Sequence, residues 1–363
     1  MEKMKIGIVT YHKSHNYGAL LQAVALRHYL QMQGYNVNYV DYWPNYHKEM
    51  YKLFDKYSFY RRSIKGKICY LLSILITLWR RDKRIRAFES FIRIFILPYC
   101  RPYSDNEYFD VIVYGSDQIW RKQERLGNKY NEVYFGTNML KAKKHVSYAA
   151  SMGEINITND DRCFLHETLK KFDGIGVREE SLRNLLIDLG FKNAKLNVDP
   201  TLLLKREQWD EVINTKNIVG KRYALLYDLH PDSFDKEILM DYCRNNSLEL
   251  IRLEGNAKLP NRNTYSVDGP ETMLSLIAYA DIVFTSSFHG LVFSLLYHKD
   301  LYASFKTNSD RAKTLMKAVG VERRLINYKD HYTDNVPIDY LFVDSVISKM
   351  SNESFSFLSS VLR

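Results

Sequence analysis

The first 42 residues constrain the fold most. KIGIVTY (5–11) has the composition of a short buried strand, and HKSHNYG (12–18) is a polar turn. ALLQAVALRHYLQMQG (19–34) has helical apolar spacing and ends on glycine, and YNVNYVDY (35–42) returns as a second strand. Strand, polar loop, helix and strand in this order begin a parallel, doubly wound sheet. DVIVYGSD (110–117), HVSYAASMG (145–153) and GIGV (174–177) continue the strands, with helices near 158–172 and over 178–190. After a break near 200–210 the alternation restarts: strand 223–229, helix to about 246, strand 248–255, helix 270–280, strand 281–287 and helix 289–298. The expected architecture is α/β, with two Rossmann-like domains facing across a cleft. Residues 1–205 form the first domain, 206–335 the second, and 336–363 a helix packing back on the first. A chain of 363 residues is about two domains long.

Residues 46–101 interrupt this rhythm. They carry 14 Lys and Arg against 4 Asp and Glu, a local excess equal to the whole chain's net +10. The basic character is thus one segment, not a general property. Within it, ICYLLSILITLW (68–79) has no charge and is flanked by Arg61, Arg62, Lys65, Lys67 and by Arg80, Arg81, Lys83, Arg84, Arg86. Twelve helical residues span ~18 Å, too short to cross a bilayer. The stretch reads as a buried core helix, or as a helix lying in the interface of an anionic membrane with residues 61–86 as the contact. Nucleic acid is not an expected partner, since no binding motif accompanies the charge. Cys69, Cys100, Cys163 and Cys243 lie far apart, without zinc spacing or the density of a disulfide scaffold. With no secretory signal pattern, the expected location is cytoplasmic, peripheral on the inner face of the membrane. The 28 tyrosines suit surfaces that meet sugars, interfaces or lipid headgroups.

Candidate site residues fall at ends of strands. Asn16, Tyr17 and Gly18 open the first helix, where backbone N–H groups can receive an anion or a sugar hydroxyl, or merely form a turn. Ser116 and Asp117 follow VIVYG. Asp117 is either a base for a sugar hydroxyl or the N-cap of a following helix. Arg178 follows GIGV and can hold a phosphate or carboxylate, or pair with Glu179 or Glu180. His289 follows FTSSF, with Ser286 and Ser287 before it and Gly290 after it. It can donate to an anion or carry a proton near neutral pH, or be structural. Arg311, in SDRAKTL, opens another helix that can approach the same crevice. There is no P-loop, GxSxG, HExxH or DxD signature.

Six segments in order, HNYGALLQA (15–23), YGSDQIW (114–120), YAASMG (148–153), GVREESL (176–182), VDPTLLL (198–204) and TSSFHGLVFSLL (285–296), resemble the polysaccharide pyruvyl transferase family. The resemblance implies a fold like that of GT-B glycosyltransferases. It also implies transfer of the pyruvyl group of phosphoenolpyruvate to two sugar hydroxyls as a ketal, with phosphate released. The acceptor is expected to be a lipid-linked precursor of a capsular or exopolysaccharide. It assigns Arg178, Arg311, Ser287 and Gly290 to the donor, with His289 binding phosphate or acting as acid. Asp117, Ser116, Asn16, Tyr17 and Gly18 fall on the acceptor side, and neither metal nor cofactor is required. Many members carry an arginine two residues before the histidine; here that position is Ser287, so the cation comes from elsewhere, with Arg311 and Lys306 as candidates, or the donor is held differently. A nucleotide-sugar glycosyltransferase and a non-catalytic carbohydrate-binding protein are the alternatives.

Overall fold

The computed structural model describes residues 3–104, 106–136, 140–230, 233–257, 263–306, 310–334 and 336–363. Its framework is two sheets. The first contains β1 (Lys5–Val9), β2 (Asn36–Asp41), β3 (Cys100–Pro102), β4 (Tyr108–Tyr114), β5 (Lys141–Ala150), β6 (Gly174–Val177) and β7 (Lys195–Leu196), in spatial order β3-β2-β1-β4-β5-β6-β7. The second contains β8 (Tyr223–Tyr227), β9 (Glu249–Leu253), β10 (Thr264–Tyr265), β11 (Ile282–Thr285) and β12 (Asp300–Ala303), in order β10-β9-β8-β11-β12. Every pairing is parallel. Helices cover both faces of such sheets, so central strands become near-continuous apolar runs. Val111 to Tyr114 of β4 and all of β11 are buried accordingly. The architecture is α/β, two Rossmann-like domains with parallel sheets.

Each sheet winds outward from a central pair, β1 with β4 and β8 with β11. Connections diverge at the carboxyl ends of such pairs and leave a crevice there. Asn16 to Gly18 follow β1, Ser116 and Asp117 follow β4, and Ser286 to Gly290 follow β11. The topology alone therefore delivers these candidates to two ligand-binding edges. The helix Tyr17–Met32 starts two residues before the apolar run, because Asn16 caps it by accepting from the N–H of Ala19 (3.1 Å). Leu20 and Leu21 of this helix share one continuous core with Leu202, Leu203, Leu291 and Val292, so the two domains are packed against each other.

Residues 46–101 form two short helices, Asn45–Met50 and Lys56–Tyr60, and one long helix, Ile64–Phe95. The long helix buries Tyr70, Ile74, Thr77, Arg84, Phe88 and Phe91 along one stripe. The buried-core expectation for 68–79 fails. Apolar residues there surround the helix, and only the inner stripe has anything to pack on. Ile64 (81% exposed), Leu75 (71%) and Trp79 (58%) face outward with Ile68, Leu71, Leu72 and Ile76. Among the described residues, no helix is long and apolar enough to cross a membrane. The last helix, Tyr340–Leu362, spans both domains. His298 of the second meets Asp344 (3.0 Å), while the N–H of Val198 in the first donates to Ser354 Oγ (2.9 Å).

Candidate active site

Ser287 caps the helix Phe288–Leu296 by accepting from the N–H of Gly290 (3.3 Å), which puts His289 in its first turn. His289 Nε2 lies 3.5 Å from Asp199 Oδ2, in the loop after β7. On its other side, a Cβ on Gly18 would fall 2.0 Å from His289 Nδ1. Only glycine lets the ring lie against that backbone. A histidine carried by the second domain is thus held between two elements of the first, a carboxylate and a helix N-terminus.

Asp199 is fully committed. Its Oδ1 accepts from the N–H (3.1 Å) and hydroxyl (2.7 Å) of Thr201, and its Oδ2 from Arg178 Nη1 (2.8 Å). Burial by itself raises a carboxyl pKa. Here the His289 and Arg178 charges and the Thr201 hydroxyl outweigh burial, and Asp199 is held far below the usual carboxylate range. Arg178 is buried too, with Nε 3.4 Å from Glu179 Oε1, and Glu179 in turn accepts from Ser151 Oγ (2.6 Å). Burial lowers the Arg178 pKa, but Glu179, Asp199 and Asp117 together raise it. Arg311, by contrast, is pushed down to about 10 by burial and then by the Arg178 charge. Arg178 Nη2, Glu179 Oε2, Arg311 Nε and His289 Nε2, the last within ion-pair distance of Asp199 only, are buried without hydrogen-bond partners. Arg178, Asn197, Asp199, Phe288 and Arg311 wall a cavity of about 150 Å³ between the domains.

A second, larger cavity of about 670 Å³ has Asn16 and Asp117 in its wall. No helix follows Asp117, so the N-cap alternative falls. Its φ is +82°, an uncommon conformation for a non-glycine residue, and its Oδ1 accepts from the N–H of Gln118 (2.8 Å). Its charge also reaches Arg178 and Arg311, so the two cavities are electrostatic neighbours. Other candidates are spent on architecture. Ser116 is buried and donates to Gln22 Oε1. Tyr17 donates to the carbonyl of Asp268 (3.2 Å) and accepts from Arg84 Nη1 (2.9 Å), tying the domains together. Ser287 is the helix cap, and a Cβ on Gly290 would fall 2.2 Å from Thr285 Oγ1.

The polysaccharide pyruvyl transferase family model matches residues 16–301. The chain belongs to this family. A comparison with curated protein sequences found no significant match. Among solved structures, the chain is similar to the glycosyltransferase SnogD from Streptomyces nogalater (12% identity, 99% of this chain and 100% of that one, TM-score 0.45). It is also similar to the trehalose-6-phosphate synthase OtsA (10%, 99% of each chain, TM-score 0.49). A third is UDP-N-acetylglucosamine 2-epimerase from Rickettsia bellii (10%, 99% and 97%, TM-score 0.43). As a pyruvyl transferase family member the chain is a transferase of polysaccharide biosynthesis with a sugar or polysaccharide acceptor. At the departure from the family pattern around Ser287, the Arg311 guanidinium lies 4.4 Å from the centre of the neighbouring Phe288 ring.

Sequence reasoning did not single out Asp199 as a site residue. Its signal was present in VDPTLLL, an acid directly before proline at the edge of the sheet, but its partners are 21 and 90 residues away in sequence. Glu179 entered only as a salt-bridge partner for Arg178, which it is. In addition, the same arginine pairs with Asp199 and keeps one nitrogen unpaired.

Proposed function

We propose that the protein transfers the pyruvyl group of phosphoenolpyruvate to two hydroxyls of one sugar. The observation that carries this is the pair of buried, unpartnered guanidinium nitrogens on Arg178 and Arg311, two arginines that wall the same small interdomain cavity. A buried donor without a partner costs about 1–3 kcal/mol. A compact donor bearing phosphate and carboxylate pairs both, with the planar forks matched to those groups. Arg311 takes the place of the cation that Ser287 cannot supply.

In the chemistry, His289 in its protonated form gives a proton to the methylene carbon of phosphoenolpyruvate, and a sugar hydroxyl adds to the central carbon with Asp117 accepting its proton. The resulting tetrahedral ketal phosphate loses phosphate, and the second hydroxyl closes the ketal. The two hydroxyl protons balance the one fixed in the new methyl group and the one taken by the departing phosphate. Asp199 positions the imidazole, as a buried carboxylate does for a catalytic histidine. The acceptor is a lipid-linked polysaccharide precursor met at the inner face of the membrane, with residues 61–86 lying on anionic lipid. The outward apolar face of the helix Ile64–Phe95 and the exposed cations Arg61, Arg62, Lys65, Lys83 and Arg86 support this, whereas Arg80 and Arg84 are buried and bonded to Ser266 and Tyr17.

The test is phosphate release from phosphoenolpyruvate with lipid-linked and nucleotide-linked galactose, glucose and N-acetylmannosamine acceptors. Acceptor-dependent release, falling by about 10²–10⁴ in His289→Ala, is the expected result. No release with any acceptor, together with tight nucleotide-sugar binding, replaces this reading by a glycosyltransferase.

A further inference from the structure

A second cluster of chemistry-bearing side chains lies on the other side of β1 from β4. His12 sits in the turn after β1, Asp41 ends β2, and Cys100 opens the three-residue β3. Their ring nitrogen, carboxylate oxygen and sulfur all lie within 4.8 Å of one another. Strand register explains the meeting. Tyr39 pairs with Cys100 and Asp41 with Pro102, and residues two apart share one face of a strand. Tyr39, Asp41 and Cys100 therefore share a face, and the His12 ring stacks on Tyr39 at 5.4 Å with 8° between the planes. A cavity of about 480 Å³ opens beside them, with Asp41 and Cys100 in its wall.

The His12 ring is fully buried and aimed at this cluster. The Thr10 carbonyl accepts from the His12 backbone N–H (2.9 Å) and lies 3.0 Å from Nδ1. A carbonyl can only accept, so Nδ1 carries a hydrogen. Nε2 of the neutral ring then turns its lone pair toward Asp41 Oδ1, 3.5 Å away. Two acceptors face each other there, and a cation between them satisfies both. Anchoring one ring nitrogen on a carbonyl is how proteins prepare the other nitrogen for a metal. Lys13 holds Asp41 Oδ1 (2.5 Å) in place of such an ion, but an ammonium has nothing to offer a sulfur ligand. The Cys100 thiol has only a weak bond, 3.6 Å to the carbonyl of Ile96. A proton on Nε2 would also satisfy the histidine and the carboxylate, and would leave the nearby sulfur without a role.

We propose that His12, Asp41 and Cys100 form a zinc site, with a water from the adjoining cavity as the fourth ligand. A nitrogen, a thiolate and a carboxylate oxygen suit zinc, whereas magnesium and calcium take oxygen ligands and have no use for the sulfur. On binding, the Cys100 thiol loses its proton to water and Lys13 exchanges Asp41 for solvent. Tetrahedral zinc with bonds of about 2.0–2.3 Å spaces its donors by roughly 3.3–3.8 Å, so the most distant pair closes by about 1 Å. Asp41 and Cys100 are only half-buried and can turn inward, while His12 stays fixed. The ion ties the turn after β1 to β2 and β3. That turn ends in Asn16, the cap of the helix whose Gly18 lies against His289, so the zinc steadies the approach to the active site without entering the reaction.

The experiment titrates the full-length protein, kept reduced with a phosphine, with zinc chloride by calorimetry. Zinc is expected to bind once per chain, at least tenfold more weakly in Cys100→Ser. Cys69→Ser/Cys163→Ser, which removes two exposed thiols elsewhere, should leave binding unchanged. Lys13→Met removes the competing ammonium and should tighten binding several-fold, an effect that a lysine merely holding the turn in place would not produce. Cobalt(II) then reports the ligand set: a thiolate-to-cobalt charge-transfer band is expected in the wild type and in Lys13→Met, and none in Cys100→Ser. Zinc should also raise the thermal midpoint of the wild type and not of Cys100→Ser. No zinc binding at micromolar concentrations, a cobalt spectrum without the charge-transfer band, weaker binding in Lys13→Met, or equal loss in the Cys69/Cys163 control each overturns the site. These readouts need no phosphoenolpyruvate, so the zinc site stands or falls separately from pyruvyl transfer.

Discussion

The two cavities hold their charges in different ways. Around the small one, Arg178 and Asp199 are buried, their geometry is fixed by Thr201 and Glu179, and the few atoms left unpaired are shut away from water. Around the large one, Arg61, Arg62 and Arg121 are exposed and loosely held. Pre-ordered buried charges suit a small invariant ligand whose reacting atoms must be placed accurately. Exposed cations suit capture of a larger ligand, whose attraction falls off with salt. The difference separates a place for chemistry from a place for docking, and it sets the order of expected effects.

The largest effect belongs to Asp199→Ala. Removing the carboxylate leaves the Arg178 guanidinium buried with one weak neighbour and His289 without its anchor. Breaking a buried pair from one side costs about 3–5 kcal/mol. The variant should show a clear fall in denaturant midpoint as well as lost turnover. Asp199→Asn keeps the shape but not the charge, and should retain more stability than activity. If both variants lose only activity, Asp199 is not the keystone of the buried network.

Next comes Gly18→Ala, a single methyl group placed where the His289 ring lies. The ring must move away from the first turn of the helix Tyr17–Met32. Since a displacement of ~1 Å at a reacting group can cost about 10²-fold, kcat should fall by that order with KM for phosphoenolpyruvate little altered. The comparison sharpens if Arg62→Gln, on the docking side, instead raises KM for the acceptor with kcat retained. A Gly18→Ala enzyme with full kcat would show that the contact between the domains at His289 has no catalytic consequence.

What could be read from sequence divides along the same line. The βαβ alternation and the strand ends bearing Asp117, Arg178 and His289 were legible because each depends on local periodicity and on the rule that ligands meet open sheets at carboxyl edges. The buried network was legible only as separate residues. Asp199 and His289 come from different domains, and nothing in either segment specifies that Gly18 is bare to admit the ring. Asn16 was visible as a turn residue, but its capping role moved the helix start. The segment 46–101 was visible as an anomaly of charge. Its apolar stretch alone could not tell a buried helix from an exposed one, since that depends on how much of the body lies beneath it. The aromatic and basic wall of the larger cavity, assembled from residues 57–62 and 118–125, had no signature because neither segment is periodic.

The smallest expected effect per residue is a pH dependence of stability, which should separate the two regions without mutation. Beside the large cavity, His15 and His47 are both pushed down to about 4, by burial first and then by Arg84 and Arg125 respectively. His15 stacks on Tyr51, another residue of the cavity wall, and His47 lies in the wall itself. The unfolded chain protonates these histidines near pH ~6.5, while the folded protein keeps them neutral until about pH 4. Between those values the unfolded state binds more protons, so stability falls as pH falls, by on the order of 2 kcal/mol per histidine at pH 5. Asp199 behaves differently. Its folded pKa is depressed, so its contribution is complete above the ordinary carboxylate pKa of ~3.9 and is lost only below it. A thermal series from pH 7 to 4.5 should therefore register His15 and His47 beside the large cavity, together with His28 and His145, which burial also lowers, but not Asp199. Protection of backbone amides should fall first in residues 45–60, with the strand ends around Asp199 unaffected, and His47→Phe should flatten the pH slope. If amides near Asp199 open first, the catalytic network rather than the docking wall is the more acid-sensitive part of the molecule.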